Sequence, residues 1–274
     1  MNHFRKFFYV VAVLSIALTL GSAAQAQQSA FSVDSMNKIG GLIVGMGPDY
    51  VGSDDNQGIV APFFKWQFDG EERYIKLMGT ELTFNALDNS NFELGPVLNF
   101  RFGRDDDVDD DVVKNMAEID DTVELGIYGA YIWRDQANPK RRLITSAEVL
   151  FDVGDEYEGW LATVDVKYWY PVNKEIDLMI GLGTTYGNSD YMNTYFGVSS
   201  ADEAVTGLSQ FNAGSGFQDI HIPVVIMYHY SMNWHFVGGL KYLGLLGDAS
   251  DSPVVDDRGD SSQLIAGVRV GYSW

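Results

Sequence analysis

The sequence contains no cysteine. That excludes disulfide bonds and thiolate chemistry, and it excludes a lipid-modified N-terminal cysteine. Basic residues are scarce: 18 Lys and Arg stand against 38 Asp and Glu, a formal net charge of −20. Contacts to phosphates need a basic surface, so nucleic acid is not an expected partner. The four histidines are scattered and no G-x-S-x-G occurs. An oriented Ser-His-Asp assembly therefore has no support in the sequence, and neither an enzyme nor a cofactor is expected. Beyond residue 20 there is no long apolar run, which excludes a later membrane-spanning helix. An exported chain of this size without disulfides must be stabilised by a large core or by a closed barrel.

What is present begins with the first residues. MNHFRK at 1–6 is a short basic stretch, FFYVVAVLSIALTL at 7–20 is continuously apolar, and Ala24-Gln25-Ala26 follows. A basic start, an apolar core and a small-x-small site make a secretory signal peptide over 1–26, cleaved after Ala26. The apolar run is short for a spanning helix, which needs about 20 residues. Residues 27–274 are then expected to form one domain. Aromatics make up 14% of the chain and there are 29 glycines. An acidic, aromatic-rich, glycine-rich and cysteine-free composition fits an outer-membrane barrel, although soluble all-β proteins share it.

The stronger signal is alternation with period 2 over about ten residues, with aromatics near the ends. At the C-terminus Leu264, Ala266, Val268, Val270, Tyr272 and Trp274 fall on one face, and Ile265, Gly267, Arg269, Gly271 and Ser273 on the other. The first face suits lipid and the second a lumen. The same division recurs at 92–102, 122–133, 143–153, 160–170, 175–186, 218–230 and 234–243. A charge facing lipid costs about 2–4 kcal/mol near the bilayer midplane. The charges obey that constraint: Arg101, Glu124, Glu148, Asp165, Lys167, Lys241 and Arg269 all take the inward parity, where they either pair and plug the lumen or line it. Backbone groups left unpaired in hydrocarbon are costly, so the strands must close into a ring. The expected fold is all-β: an antiparallel up-and-down transmembrane β-barrel.

Strand number is less direct. Further strands read at 38–47, 59–68 and 73–84 bring the count to eleven, whereas bacterial single-chain barrels normally have even numbers. Parity also breaks at Gly79, between Ile75 and Leu77 on one side and Leu82 and Phe84 on the other. Gly79 marks either a bulge or a missed turn. Twelve strands are expected, with ten as the alternative. If Trp274 ends on the periplasmic side, the long connections at 103–121, 187–216 and 245–262 face outward, as does 154–158. The segment 134–142 and the short turns at 171–174 and 230–233 then face the periplasm, the usual asymmetry of such barrels.

Five segments, in order, carry a family resemblance: GPDYVGSDD at 47–55, RFGR at 101–104 followed by an acidic stretch and MAEIDDTVELG, YMNTYFGV at 191–198, YLGLLGDASDSP at 242–253, and the terminal VGYSW. Together they resemble the MltA-interacting protein/OmpV family of outer-membrane proteins. The resemblance implies a barrel that acts as a scaffold, joining a lytic transglycosylase to a peptidoglycan synthase. A porin-like conduit for small solutes is the second function it implies. The family has no established catalytic residues, and none are carried over.

The candidate sites are few. RDQANPKRR at 134–142 places Arg134, Lys140, Arg141 and Arg142 in an otherwise acidic chain, either as a turn that balances charge or as an electrostatic dock for acidic partners. Pro48, Tyr50, Gly52, Ser53, Asp54 and Asp55 form the first family-motif loop, expected as a folded turn in which Ser53 caps, tucked toward the lumen. Asp105–Asp107 and Asp109–Asp111, with Glu118, Asp120 and Asp121, read as a solvated external loop. The alternative is a divalent-cation site that bridges lipopolysaccharide phosphates. His221 and His229 lie about 27 Å apart along one strand and cannot share a site; His229 and His235 flank one turn and allow an inner-rim pair. Tyr272 and Trp274 are expected to be read by the barrel-insertion machinery, and the outer-membrane lipid itself is the main partner of the apolar face.

Overall fold

In the computed structural model the described residues are 36–274. The expected signal peptide at 1–26 lies outside them. The strands are β1 (Lys38–Pro48), β2 (Asn56–Gln67), β3 (Tyr74–Met78), β4 (Glu81–Asn85), β5 (Phe92–Arg101), β6 (Thr122–Arg134), β7 (Arg142–Asp152), β8 (Trp160–Pro171), β9 (Ile176–Gly187), β10 (Gly216–His229), β11 (Trp234–Leu245) and β12 (Ser262–Ser273). Each pairs antiparallel with its neighbour in sequence. β1 closes the ring against β12, from Ile39 opposite Ser273 to Met46 opposite Ala266. No helix among the described residues is long and apolar enough to cross a membrane.

The twelve-strand expectation is met, and Gly79 shows how. The segment 73–84 is two five-residue strands, and Gly79 takes φ +62° in the tight turn between them. A left-handed φ suits glycine and turns the chain at once, which explains the parity break. The low hairpin leaves Asn56–Ala61 of β2 with no strand partner on that side. Pro62 stands where pairing stops; it has no N–H to leave unpaired, and its carbonyl accepts from Gly79 N–H at 3.0 Å.

Side chains alternate as lipid demands. Leu42, Val44, Leu98, Ile127, Leu182 and Val268 are exposed on the outer face. Aromatic pairs mark both rims: Trp66 with Trp274 and Trp234 with Tyr272 at one end, Trp160 with Tyr186 at the other. Amphipathic rings favour the membrane interface, so these belts bracket the hydrocarbon.

The lumen holds more than the inward charges expected from the sequence. Toward the end that holds the chain terminus, inward positions carry an apolar cluster that includes Ile39, Phe63, Ile144, Trp169, Met179 and Met227. Above it lies an ionic layer. Asp165 lies 3.6 Å from Lys167 and 3.2 Å from His221, whose other ring nitrogen lies 2.6 Å from Asp219. Glu124 takes Arg101 at 2.5 Å, Asn99 at 2.7 Å and the Tyr157 hydroxyl at 2.6 Å. Of the two expectations for the inward charges, pairing is the one seen for these residues.

The long loops fold into a cap. Its helices are α1 (Ser189–Phe196), α2 (Ser200–Thr206), α3 (Gly247–Asp251) and α4 (Pro253–Asp256), with a 3-10 turn at Val113–Asn115. The starts of α1, α2 and α4 are capped by Asn188, Ser199 and Ser252, each accepting a backbone N–H. Met192, Phe196, Ala249 and Val254 are fully buried. The family-motif loop belongs to this cap. Pro48, Tyr50, Gly52 and Ser53 are buried, Asp54 is exposed and Asp55 half-buried. Gly52 takes φ +102°, and a Cβ there would stand 2.5 Å from Val255. Ser53 Oγ accepts from Asp55 N–H at 3.1 Å. The acidic run splits between roles. Asp105, Asp106, Asp107, Asp109 and Asp111 are exposed, whereas Asp110 is buried, accepts from Val112 and Val113 N–H, and pairs with Arg258 at 2.6 Å. Burial raises the Asp110 carboxyl, but Arg258 and the two amides outweigh it and hold it below the usual carboxylate range. Among the described residues no three acidic or histidine side chains converge as a metal site.

Candidate functional site: a basic basin at the open end

The opposite end of the barrel has short turns and an open hollow. The 134–142 segment is largely a tight β6–β7 hairpin. Arg134 pairs with Arg142 in register, Asp135 N–H donates to Arg141 O at 3.0 Å, and Asp135 Oδ1 accepts from Ala137 N–H at 2.8 Å. Period 2 separates the four basic side chains. Arg142 points inward and is buried, its guanidinium 4.8 Å from the Trp169 ring. Arg141 points outward, stacks at 5.1 Å on Tyr170 and lies 3.8 Å from Asp135. Arg134 is half-buried and donates to the Ser90 carbonyl, and Lys140 is exposed at the tip.

The hollow, about 550 Å³, is lined by Arg134, Lys140 and Arg142 together with Lys38 and Lys65, which sequence reasoning missed. Arg141 is not in its wall. Lys38 pairs with Asp69 and lies 4.8 Å from the Trp66 ring; Lys65 lies 4.5 Å from the Tyr74 ring. Lys65 has the inward parity of β2, and that parity was the signal available in the sequence. Three carboxylates share the wall: Glu72, Glu93 and Asp177. Glu93 accepts the Tyr74 hydroxyl at 2.9 Å and the Tyr128 hydroxyl at 3.2 Å, and Asp177 meets His229 Nε2 at 2.9 Å. Five cationic side chains against three carboxylates leave the wall with a modest excess of positive charge, Lys38 being paired with Asp69.

His229 and His235 form the inner-rim pair that their positions allowed. Their Nδ1 atoms lie 2.9 Å apart, and His235 Nε2 lies 2.9 Å from Ser273 Oγ. A chain of hydrogen bonds thus runs from Asp177 to the end of β12. His221 sits apart, in the ionic layer. Tyr272 and Trp274 are outward and exposed, on the lip of the same end; Trp274 N–H donates to Lys38 O at 3.3 Å. The arrangement holds the Ser273 hydroxyl at one end of the His229–His235 relay and the Asp177 carboxylate at the other, both on the wall of the hollow. It offers a concave, cationic surface ringed by aromatic side chains, suited to binding acidic groups.

Comparison with known proteins adds three findings. The family model described as MltA-interacting protein MipA matches residues 40–274. The chain is similar to the outer membrane protein Omp26La of Vibrio anguillarum, 25% identical over 206 residues, and to the outer membrane protein OmpV of Vibrio cholerae, 26% identical over 206 residues; each match covers 75% of both chains. Among solved structures, an outer membrane channel from Pseudomonas putida F1 has a TM-score of 0.50 at 11% identity, covering 90% of this chain and 98% of the other. That likeness shows the fold alone.

Proposed function

The chain belongs to the MltA-interacting protein MipA family and is an outer-membrane β-barrel, and from that premise we propose that it is a scaffold whose periplasmic basin docks cell-wall enzymes. The partner is a lytic transglycosylase, with a peptidoglycan synthase as the second enzyme brought to the same rim. The family's name supplies the first partner. The observation that carries the reading is the gathering of Lys38, Lys65, Arg134, Lys140 and Arg142 at one open hollow of a chain whose net charge is −20. Such a patch attracts acidic surfaces, speeds encounter and weakens with salt. In this reading residues 1–26 are the cleaved export signal, and Tyr272 and Trp274 serve the insertion machinery.

A porin-like conduit is the runner-up. The apolar cluster, the paired charges and the packed cap all oppose an open aqueous path along the barrel axis, so the scaffold is preferred. The test is capture of a purified lytic transglycosylase by the full barrel in detergent. Capture is expected at about 50 mM salt, to fall severalfold near 300 mM, and to fall similarly in Arg134→Ser/Lys140→Ser with insertion intact. Undiminished capture by that variant rejects the dock. A steady cation-selective conductance in planar bilayers favours the conduit instead.

A further inference from the structure

The RFGR motif ends in a residue that neither the fold nor the basin uses. Arg104 follows β5 and is fixed by two backbone hydrogen bonds with Ile119, both 2.8 Å. The residue is 6% exposed, and it lines a cleft of about 480 Å³ in the cap. Its nearest partners are the Met116 sulfur at 4.0 Å and the Tyr50 ring at 5.7 Å. Among the described residues no carboxylate reaches salt-bridge distance of it. Asp202 contributes from farther off, and its oxygens are engaged: Oδ1 accepts from Ala117 N–H at 2.7 Å, and Oδ2 from the Ser199 hydroxyl at 2.6 Å. Burial lowers the basicity of Arg104, as expected for a guanidinium taken out of water. A cation so enclosed is normally paired, because an unpaired buried charge is costly. Here the contact partner is missing and the cleft is open above it.

The cleft's other groups limit what completes it. Glu118 and Glu156 stand on its walls beside Asp202, whose oxygens are already engaged, and the overall charge is strongly negative. A simple anion drawn to Arg104 is opposed by both glutamates, and a simple cation drawn to the glutamates is opposed by Arg104. A molecule with both charges satisfies all three. Asn193, Thr194 and Asn212 make no side-chain hydrogen bond among the described residues, and they extend the cleft into a second hollow beside Glu158 and Asp190. They are placed to read amide or hydroxyl groups. The volume lies at the small end of the range for small-molecule sites. We propose that this cleft binds a small zwitterion, a free amino acid or short peptide, with its carboxylate on Arg104 and its ammonium toward Glu118 and Glu156. The site is on the face opposite the basin and does not depend on the scaffold reading.

Diglycine, acetate and ethylamine titrated calorimetrically into the full-length barrel in detergent test this. Diglycine is expected to bind saturably, with acetate and ethylamine each at least about tenfold weaker, since a charge-assisted hydrogen bond contributes roughly that factor. Arg104→Gln should weaken diglycine about tenfold or more. If that variant fails to fold, Glu118→Gln/Glu156→Gln decides: it should narrow the gap between diglycine and acetate. Absence of saturable diglycine binding, equal binding of acetate, or an unchanged gap in the glutamate variant overturns the proposal.

Discussion

The two ends of this barrel are built on opposite plans. At the outer end, loops from five connections fold over the mouth and acquire a core of their own around Met192, Phe196 and Val254, with Arg258 bolted to Asp110 across 148 residues of sequence. At the inner end the turns are short and leave a hollow with five cationic side chains against three carboxylates in its wall. Both ends meet water, so solvation does not explain the difference. The outer loops bury apolar surface and satisfy their polar groups against one another, which stabilises a lid. The inner turns hold charges near an opening, which suits contact. In this account the outer end is closed for integrity and the inner end is open for a partner.

The largest break in that comparison comes from the ring itself, which carries both ends. Tyr272 and Ser273 pair with Gly40 and Ile39, and Tyr272 also faces Trp234. Deleting Tyr272–Trp274 should abolish outer-membrane insertion, read as loss of the protein from the outer-membrane fraction with degradation or aggregation in the periplasm. Normal outer-membrane levels would show that the terminal strand is dispensable.

Next in size is the cap core. Phe196→Ala should cost the cap about 3–5 kcal/mol, the usual range for a buried Phe truncated to Ala. Protease should then cut within 188–215 far faster than in the parent while the barrel strands stay protected. If cleavage is unchanged, the loops are not held by their shared core.

The smallest effect expected is at Asp110. Its carboxyl is held below its ordinary value of 3.8, so its contribution is present at neutral pH and down to about pH 4, and is lost as pH falls through the lowered value. The parent cap should therefore open more readily below about pH 4. Asp110→Asn should open about tenfold more at pH 7 and lose that part of the acid response, as read by hydrogen exchange in 246–261. An acid response identical to the parent's would remove Asp110 from the lock.

Much of the ring was legible because lipid enforces strict alternation. Leu94, Leu98 and Phe100 against Glu93, Asn99 and Arg101 leave one reading of β5. β3 and β4 were hidden by a two-residue turn that reverses parity at Gly79. The apolar lumen cluster was missed because inward positions were read for charge, and Trp169, Met179 and Met227 carry none. The basin was legible only in part. Alternation puts Arg142 in its wall and Arg141 outside it, although they are adjacent in sequence, and Lys38 and Lys65 arrive from strands on the far side of the 134–142 turn. The cap was least legible, since contacts such as Arg258 with Asp110 have no periodicity to announce them.

The contrast between ends has functional meaning only if the basin faces the periplasm. Because the sequence has no cysteine, single cysteines report this cleanly. Asp109→Cys, on the exposed edge of the cap, and Lys140→Cys, at the lip of the basin, can each be treated on intact cells with a membrane-impermeant maleimide. The account predicts labelling at 109 on intact cells, and at 140 only after the outer membrane is permeabilised. Labelling at 140 and not at 109 on intact cells would contradict it.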